Sequence, residues 1–81
     1  MKIPRNLTGE MLAKILSRKL NYEVTRQKGS HIRLTTQEPF EFHITIPNHS
    51  PLKVGTLSSI LKDIASHHLI TKDELMELLF D

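Results

Sequence analysis

The sequence contains no cysteine. Disulfide staples, a thiolate nucleophile and a zinc–thiolate site are therefore excluded. No apolar run approaches the ~20 residues of a membrane span, and residues 1–6 are followed by no apolar core of signal-peptide length. The expectation is a soluble, cytoplasmic chain. There is no phosphate-binding P-loop, no dinucleotide fingerprint and no Gly-x-Ser-x-Gly elbow. The adjacent His67 and His68 diverge on a helix, so they are not the i, i+4 pair of a helical zinc site, and no other group has metal-ligand spacing. No metal and no cofactor are expected. Repeats, low-complexity tracts and interdomain linkers are also missing, which leaves residues 1–81 as a single domain.

What is present is a small chain with unevenly placed charge. Residues 1–56 hold nine Lys/Arg against four Asp/Glu, and residues 57–81 hold two against five. Such asymmetry predicts a basic face toward an anionic partner, with the C-terminal part turned away. Thr8, followed by Glu10 in the first turn, predicts a helix start, with Leu7 and Leu12 as a hydrophobic staple. Met11, Leu12, Ile15, Leu16 and Leu20 form its apolar stripe, and Asn21 suits the left-handed position past its end.

Three strand-like runs follow, at residues 22–25, 31–35 and 40–46. The last alternates most strictly, with Phe40, Phe42, Ile44 and Ile46 on one side and Glu41, His43 and Thr45 on the other. Turn signals at Lys28-Gly29-Ser30 and Gln37-Glu38-Pro39 make these an antiparallel meander. Thr56 is expected to cap a second helix bearing Leu57, Ile60, Leu61 and Ile64. Thr71 and Glu74 match a capping box for a third. The order α-β-β-β-α-α predicts an α+β two-layer sandwich, like the double-stranded-RNA-binding domain with an extra short C-terminal helix. The two larger helices are expected to cover the apolar face of the sheet.

The stretch Arg26-Gln27-Lys28-Gly29-Ser30-His31-Ile32-Arg33 carries the most chemistry. Alternation puts His31 and Arg33 on the wet face, opposite Ile32 and Leu34. An imidazole among cations suits RNA cleavage: it can take a proton from a 2′-hydroxyl while Arg or Lys stabilises the phosphate. An ordinary exposed histidine beside solvated charges fits the same residues. Arg26 shares the apolar-face parity of Tyr22 and Val24, so it must lie at the strand end to reach solvent. At the second helix start, Lys53, Gly55 and Thr56 suit a phosphate at free backbone N–H groups, or plain capping. His43 reads as a solvated strand residue and His49 as a loop residue that either orients His31 or is structural.

Three motifs together resemble the HicA-type toxin family. Arg26-Gln27-Lys28-Gly29-Ser30-His31 is similar to its R-x-K/R-G-S-H hallmark, Ile46-Pro47-Asn48-His49 to its I/V-P-x-H element, and Gly55-Thr56-Leu57-Ser58-Ser59-Ile60-Leu61 to its G-T-L-x-x-I-L helix start. The similarity runs from about residue 7 to about residue 79. Asn21 stands where many members have Gly before an aromatic residue, here Tyr22. The resemblance implies a metal-independent endoribonuclease toxin that cleaves mRNA and is neutralised by a HicB-type antitoxin. It puts the essential histidine at His31, the conserved glycine at Gly29 and the serine at Ser30. Arg26, Lys28, Gly29, Ser30, Arg33, Lys53, Gly55 and Thr56 are the accompanying RNA-binding candidates. The alternatives are a non-catalytic RNA-binding module of the same fold, or a protein whose main role is to bind the antitoxin.

Overall fold

The computed structural model describes residues 3–80; Met1, Lys2 and Asp81, which the single-domain reading also includes, lie outside the described residues. The chain runs α1 (Gly9–Leu20), β1 (Glu23–Lys28), β2 (His31–Thr36), β3 (Phe42–Pro47), α2 (Val54–His67) and α3 (Lys72–Phe80). This is the expected α+β architecture, with a three-stranded antiparallel sheet in the order β1-β2-β3.

Local chemistry sets most of the helix ends. The Thr8 hydroxyl accepts the Met11 N–H at 3.1 Å, which satisfies one open donor of the first turn of α1. Asn21 stops α1 in the left-handed region, at φ 57°. Its buried stripe runs through Leu12, Ala13 and Leu16, whereas Met11 is exposed. At α3 the capping box is closed both ways: Glu74 N–H donates to the Thr71 hydroxyl at 3.0 Å, and Thr71 N–H to the Glu74 carboxylate at 2.8 Å.

The start of α2 corrects an expectation. Thr56 does not cap it. The helix begins at Val54 with Lys53 as its N-cap, and no side-chain cap bond forms. Thr56 sits in the third helical position, so its preference for capping is overridden by the extended Lys53 (φ −70°, ψ 146°). Strand bounds also shift. Phe40 lies outside β3 and is 63% exposed, because the chain bends at residues 38–40 before the ladder begins. β1 starts at Glu23 and continues to Lys28, since Arg26, Gln27 and Lys28 all find partners in β2.

Ile32, Leu34, Ile44 and Ile46 bury one face of the sheet. The helical layer differs from a simple pair. The backbone of α1 approaches all three strands, that of α2 comes closest to the sheet at β3, and α3 packs against both α1 and α2. Leu75, fully buried, and Leu79 of α3 belong to the core cluster with Leu16, Leu61 and Ile64. The short third helix is thus part of the core, which a thin-cored domain of this size requires.

Candidate nucleic-acid interface

The β1–β2 hairpin builds the cationic end of the wet face. Lys28 pairs with His31, leaving Gly29-Ser30 as a two-residue loop. Gly29 has φ 57°, and a Cβ there would meet nothing within 4 Å. What Gly29 supplies is therefore backbone conformation, not space. The Ser30 carbonyl accepts the Asn48 N–H at 2.6 Å, which ties the turn to the loop after β3. That loop is held in turn by the start of α1: Gly9 N–H donates to the His49 carbonyl at 3.1 Å. A side chain on Gly9 would collide with the Pro47 carbonyl oxygen. His49 is thus anchored through its backbone and is an exposed residue.

The register slips between Val24 and Arg26, so Thr25 is an extra residue in β1. This bulge changes the parity of everything after it. Arg26 faces Arg33, and Lys28 faces His31, all on the wet side of the sheet. The expectation that Arg26 shares the apolar-face parity is corrected: the bulge turns it outward within the strand. Arg26, Lys28, His31 and Arg33 line one cleft of about 370 Å³ together with Thr45, which the sequence reading did not single out. Thr45 is brought there by its pairing with Arg33 across the β2–β3 ladder. Lys53, Gly55 and Thr56 stand apart at the start of α2; Gly55 and Thr56 line a separate groove against β3. The first turn of α2 contains no acidic residue, so its open N–H groups face no neighbouring carboxylate on their own helix.

Farther along the wet face, His43 is held at both ring nitrogens. One lies 2.8 Å from the Glu41 carboxylate and the other 2.8 Å from the Thr35 hydroxyl. Thr35 is 3.0 Å from the Thr25 hydroxyl. With neutral His43, Nε2–H donates to Glu41, Nδ1 accepts from Thr35, and Thr35 accepts from Thr25.

The two histidines at the end of α2 are structural. His67 is buried, stacks on Phe42 (4.2 Å between ring centres) and lies with Nε2 3.1 Å from the Glu38 carbonyl. His68 meets the Tyr22 hydroxyl at 2.9 Å. Burial, with a smaller contribution from His67, holds the His68 pKa below the ordinary histidine value. Burial also pushes the Tyr22 phenol up. Among the described residues, no three His, Asp or Glu side chains converge in a way that could hold a metal ion, and no helix is long and apolar enough to cross a membrane.

The architecture is that of a double-stranded-RNA-binding-like α+β domain with a cationic, histidine-bearing hairpin. A family model described as the HicA toxin of bacterial toxin–antitoxin systems matches residues 9–65, well over half of the chain. The chain belongs to the HicA toxin family, the toxins of toxin–antitoxin systems. The matched segment holds all three strands and most of α2 but ends before α3. Neither the curated proteins nor the solved structures gave a match.

Proposed function

We propose that this toxin is a metal-independent endoribonuclease acting on mRNA, with His31 as its catalytic residue. The supporting observation is the cleft in which His31 stands among Arg26, Lys28 and Arg33. Three cations around one exposed imidazole suit a phosphodiester whose charge grows in the transition state. His31 takes the proton from the RNA 2′-hydroxyl, which attacks the adjacent phosphorus. The 5′-oxygen leaves and collects a proton, from His31 or from water. The products are a 2′,3′-cyclic phosphate and a 5′-hydroxyl. Gly29 and Ser30 shape the turn that carries His31. Lys53 and the backbone N–H groups of Gly55 and Thr56 bind a second phosphate. A HicB-type antitoxin silences the toxin by covering the wet face and His31.

The deciding test is cleavage of a long single-stranded RNA in EDTA by the wild type and by a folded His31→Ala variant. Loss of a general base lowers the rate by roughly 10²–10⁴-fold. Products ending in a 5′-phosphate, or a His31→Ala variant that cuts normally, would sink the assignment. One observation favours a second reading, a non-catalytic RNA-binding module: among the residues lining the cleft, His31 has no second histidine and no carboxylate beside it. In that case neither protein cuts while both bind RNA.

A further inference from the structure

A second concavity, about 1000 Å³ and open, runs along the free edge of β3 with α2 as its other wall. It differs in chemistry from the cleft at His31. That cleft is lined by Arg26, Lys28 and Arg33 around His31, with Thr45 as the remaining residue. The lining of the groove includes no Lys or Arg at all. It offers planar rings instead. Phe40 is 63% exposed and braced edge-on against His67, with ring centres 4.7 Å apart. Phe42 stacks on the same imidazole, with planes 12° apart. His43 lies along the same wall, and its two ring nitrogens are already engaged by Glu41 and Thr35. Those two bonds fix the orientation of its ring. Asp63, the carboxylate in this lining, can only accept hydrogen bonds when ionised.

The two concavities adjoin at Thr45, which lines both. Pro47, in the groove wall, is the ladder partner of His31. A strand of RNA whose phosphate sits at His31 can therefore turn over β3 and lay its next residues in the groove. We infer that the β3–α2 groove is a base-binding subsite for unpaired nucleotides flanking the phosphate held at His31. The division of labour follows from the linings: cations take the backbone, and flat rings with small hydroxyls take the bases. Base–aromatic stacking is sequence-tolerant and needs no positive charge. The free backbone of β3 could instead pair with an extended peptide, but the shared Thr45 and the exposed Phe40 ring favour RNA.

This inference rests on the RNA-directed reading of the His31 cleft, and the test separates the two. The probe is a labelled 12-nucleotide single-stranded RNA, bound by His31→Ala protein so that it is not consumed. Adding Phe40→Ala weakens binding about tenfold, as expected for losing one stacked base, without changing the salt dependence. Phe40→Tyr restores binding. RNA with a run of abasic residues on the occupied side binds weakly, and Phe40→Ala weakens it no further. Ser59→Phe, which fills the groove from α2, gives the same loss and carries the test if Phe40→Ala fails to fold. If Phe40→Ala and Ser59→Phe bind RNA normally while wild type cuts, the groove assignment falls and the nuclease stands. Loss of binding in both variants, with no cutting by wild type, removes the nuclease and keeps the groove. Absence of any RNA binding at low salt overturns the inference and leaves the groove to a peptide strand.

Discussion

Arg26 lies directly opposite Arg33 across the β1–β2 ladder, one residue past the bulge at Thr25. Like charges facing each other across a strand pair are destabilising, by roughly 0.2–1 kcal/mol, a cost that the proposed RNA phosphate would offset. Arg26→Gln is expected to raise the unfolding midpoint by about 2–4 °C, the shift that roughly half a kcal/mol produces in a domain of this size. The same change weakens RNA binding and lowers the slope of log K against log salt by about 0.7, the value for one phosphate contact on a single strand. Thermal unfolding and a salt titration of binding check the two halves separately. An unchanged slope would take Arg26 out of the phosphate site.

Two glycines in helices should respond in opposite ways to alanine. At Gly9 a Cβ would press into the Pro47 carbonyl and lie 2.8 Å from the Asn48 Cα, both of them backbone. Gly9→Ala is expected to destabilise the fold by about 3 kcal/mol, the upper end of the usual overpacking cost. It should also displace the loop that holds the hairpin turn through Ser30. Gly55 has open space around the same position, and Gly55→Ala should be neutral or stabilise by up to ~1 kcal/mol through helix propensity. Denaturant unfolding of the two variants, side by side, decides it. Equal effects would mean that the close approach at Gly9 is not what holds the 47–49 loop.

The Tyr22–His68 contact predicts how stability depends on pH. Burial lowers the His68 pKa in the folded state, so the unfolded chain binds its proton more readily. Stability from this group is fully present above the unfolded histidine value of about 6.5, and it falls as pH drops below that value until the folded pKa is passed. The raised Tyr22 phenol acts at the other end. The unfolded chain loses that proton first, so stability falls as pH rises through the ordinary tyrosine value of about 10. Unfolding midpoints of wild type, His68→Asn and Tyr22→Phe from pH 5 to 11 test both limbs. The His68 variant should flatten the acid limb and the Tyr22 variant the alkaline one.

Features that depend on a few neighbouring residues were legible in the sequence. Thr8, Asn21 and the Thr71–Glu74 box each act within one helical turn, and the structure uses them as read. The alternation at Ile44 and Ile46 likewise marked the buried face of β3. Features that need a distant partner were not legible. The bulge at Thr25 exists only in relation to Arg33 on β2, so parity alone turned Arg26 the wrong way. The need for glycine at residue 9 comes from Pro47 and Asn48, far along the chain. Residue preference alone makes Thr56 a cap, but the approach of the chain through Lys53 starts α2 earlier. Within the candidate site, the motif residues Arg26, Lys28, His31 and Arg33 were legible, whereas Thr45 and the groove beside it became visible only once β3 was in place.

The third helix gives a sharper test of what the fold needs. α3 lies beyond the segment that matches the family, yet Leu75 is fully buried and the helix packs against both α1 and α2. Its backbone approaches both α1 and α2, which do not approach each other as closely, so α3 bridges the helical layer. Leu75→Ala is expected to cost about 3 kcal/mol, within the usual range for a buried leucine. Leu78→Ala, at a position that is 49% exposed, should cost well under 1 kcal/mol. A chain ending at residue 70 would lose Leu75 and Leu79 together and expose Leu61 and Ile64. In a domain with so thin a core, it should fail to unfold cooperatively. Heat or denaturant melts of the three variants measure this directly. A truncated chain that melts as sharply as the full one would show that α3 is only an appendage and that α1 and α2 suffice to cover the sheet.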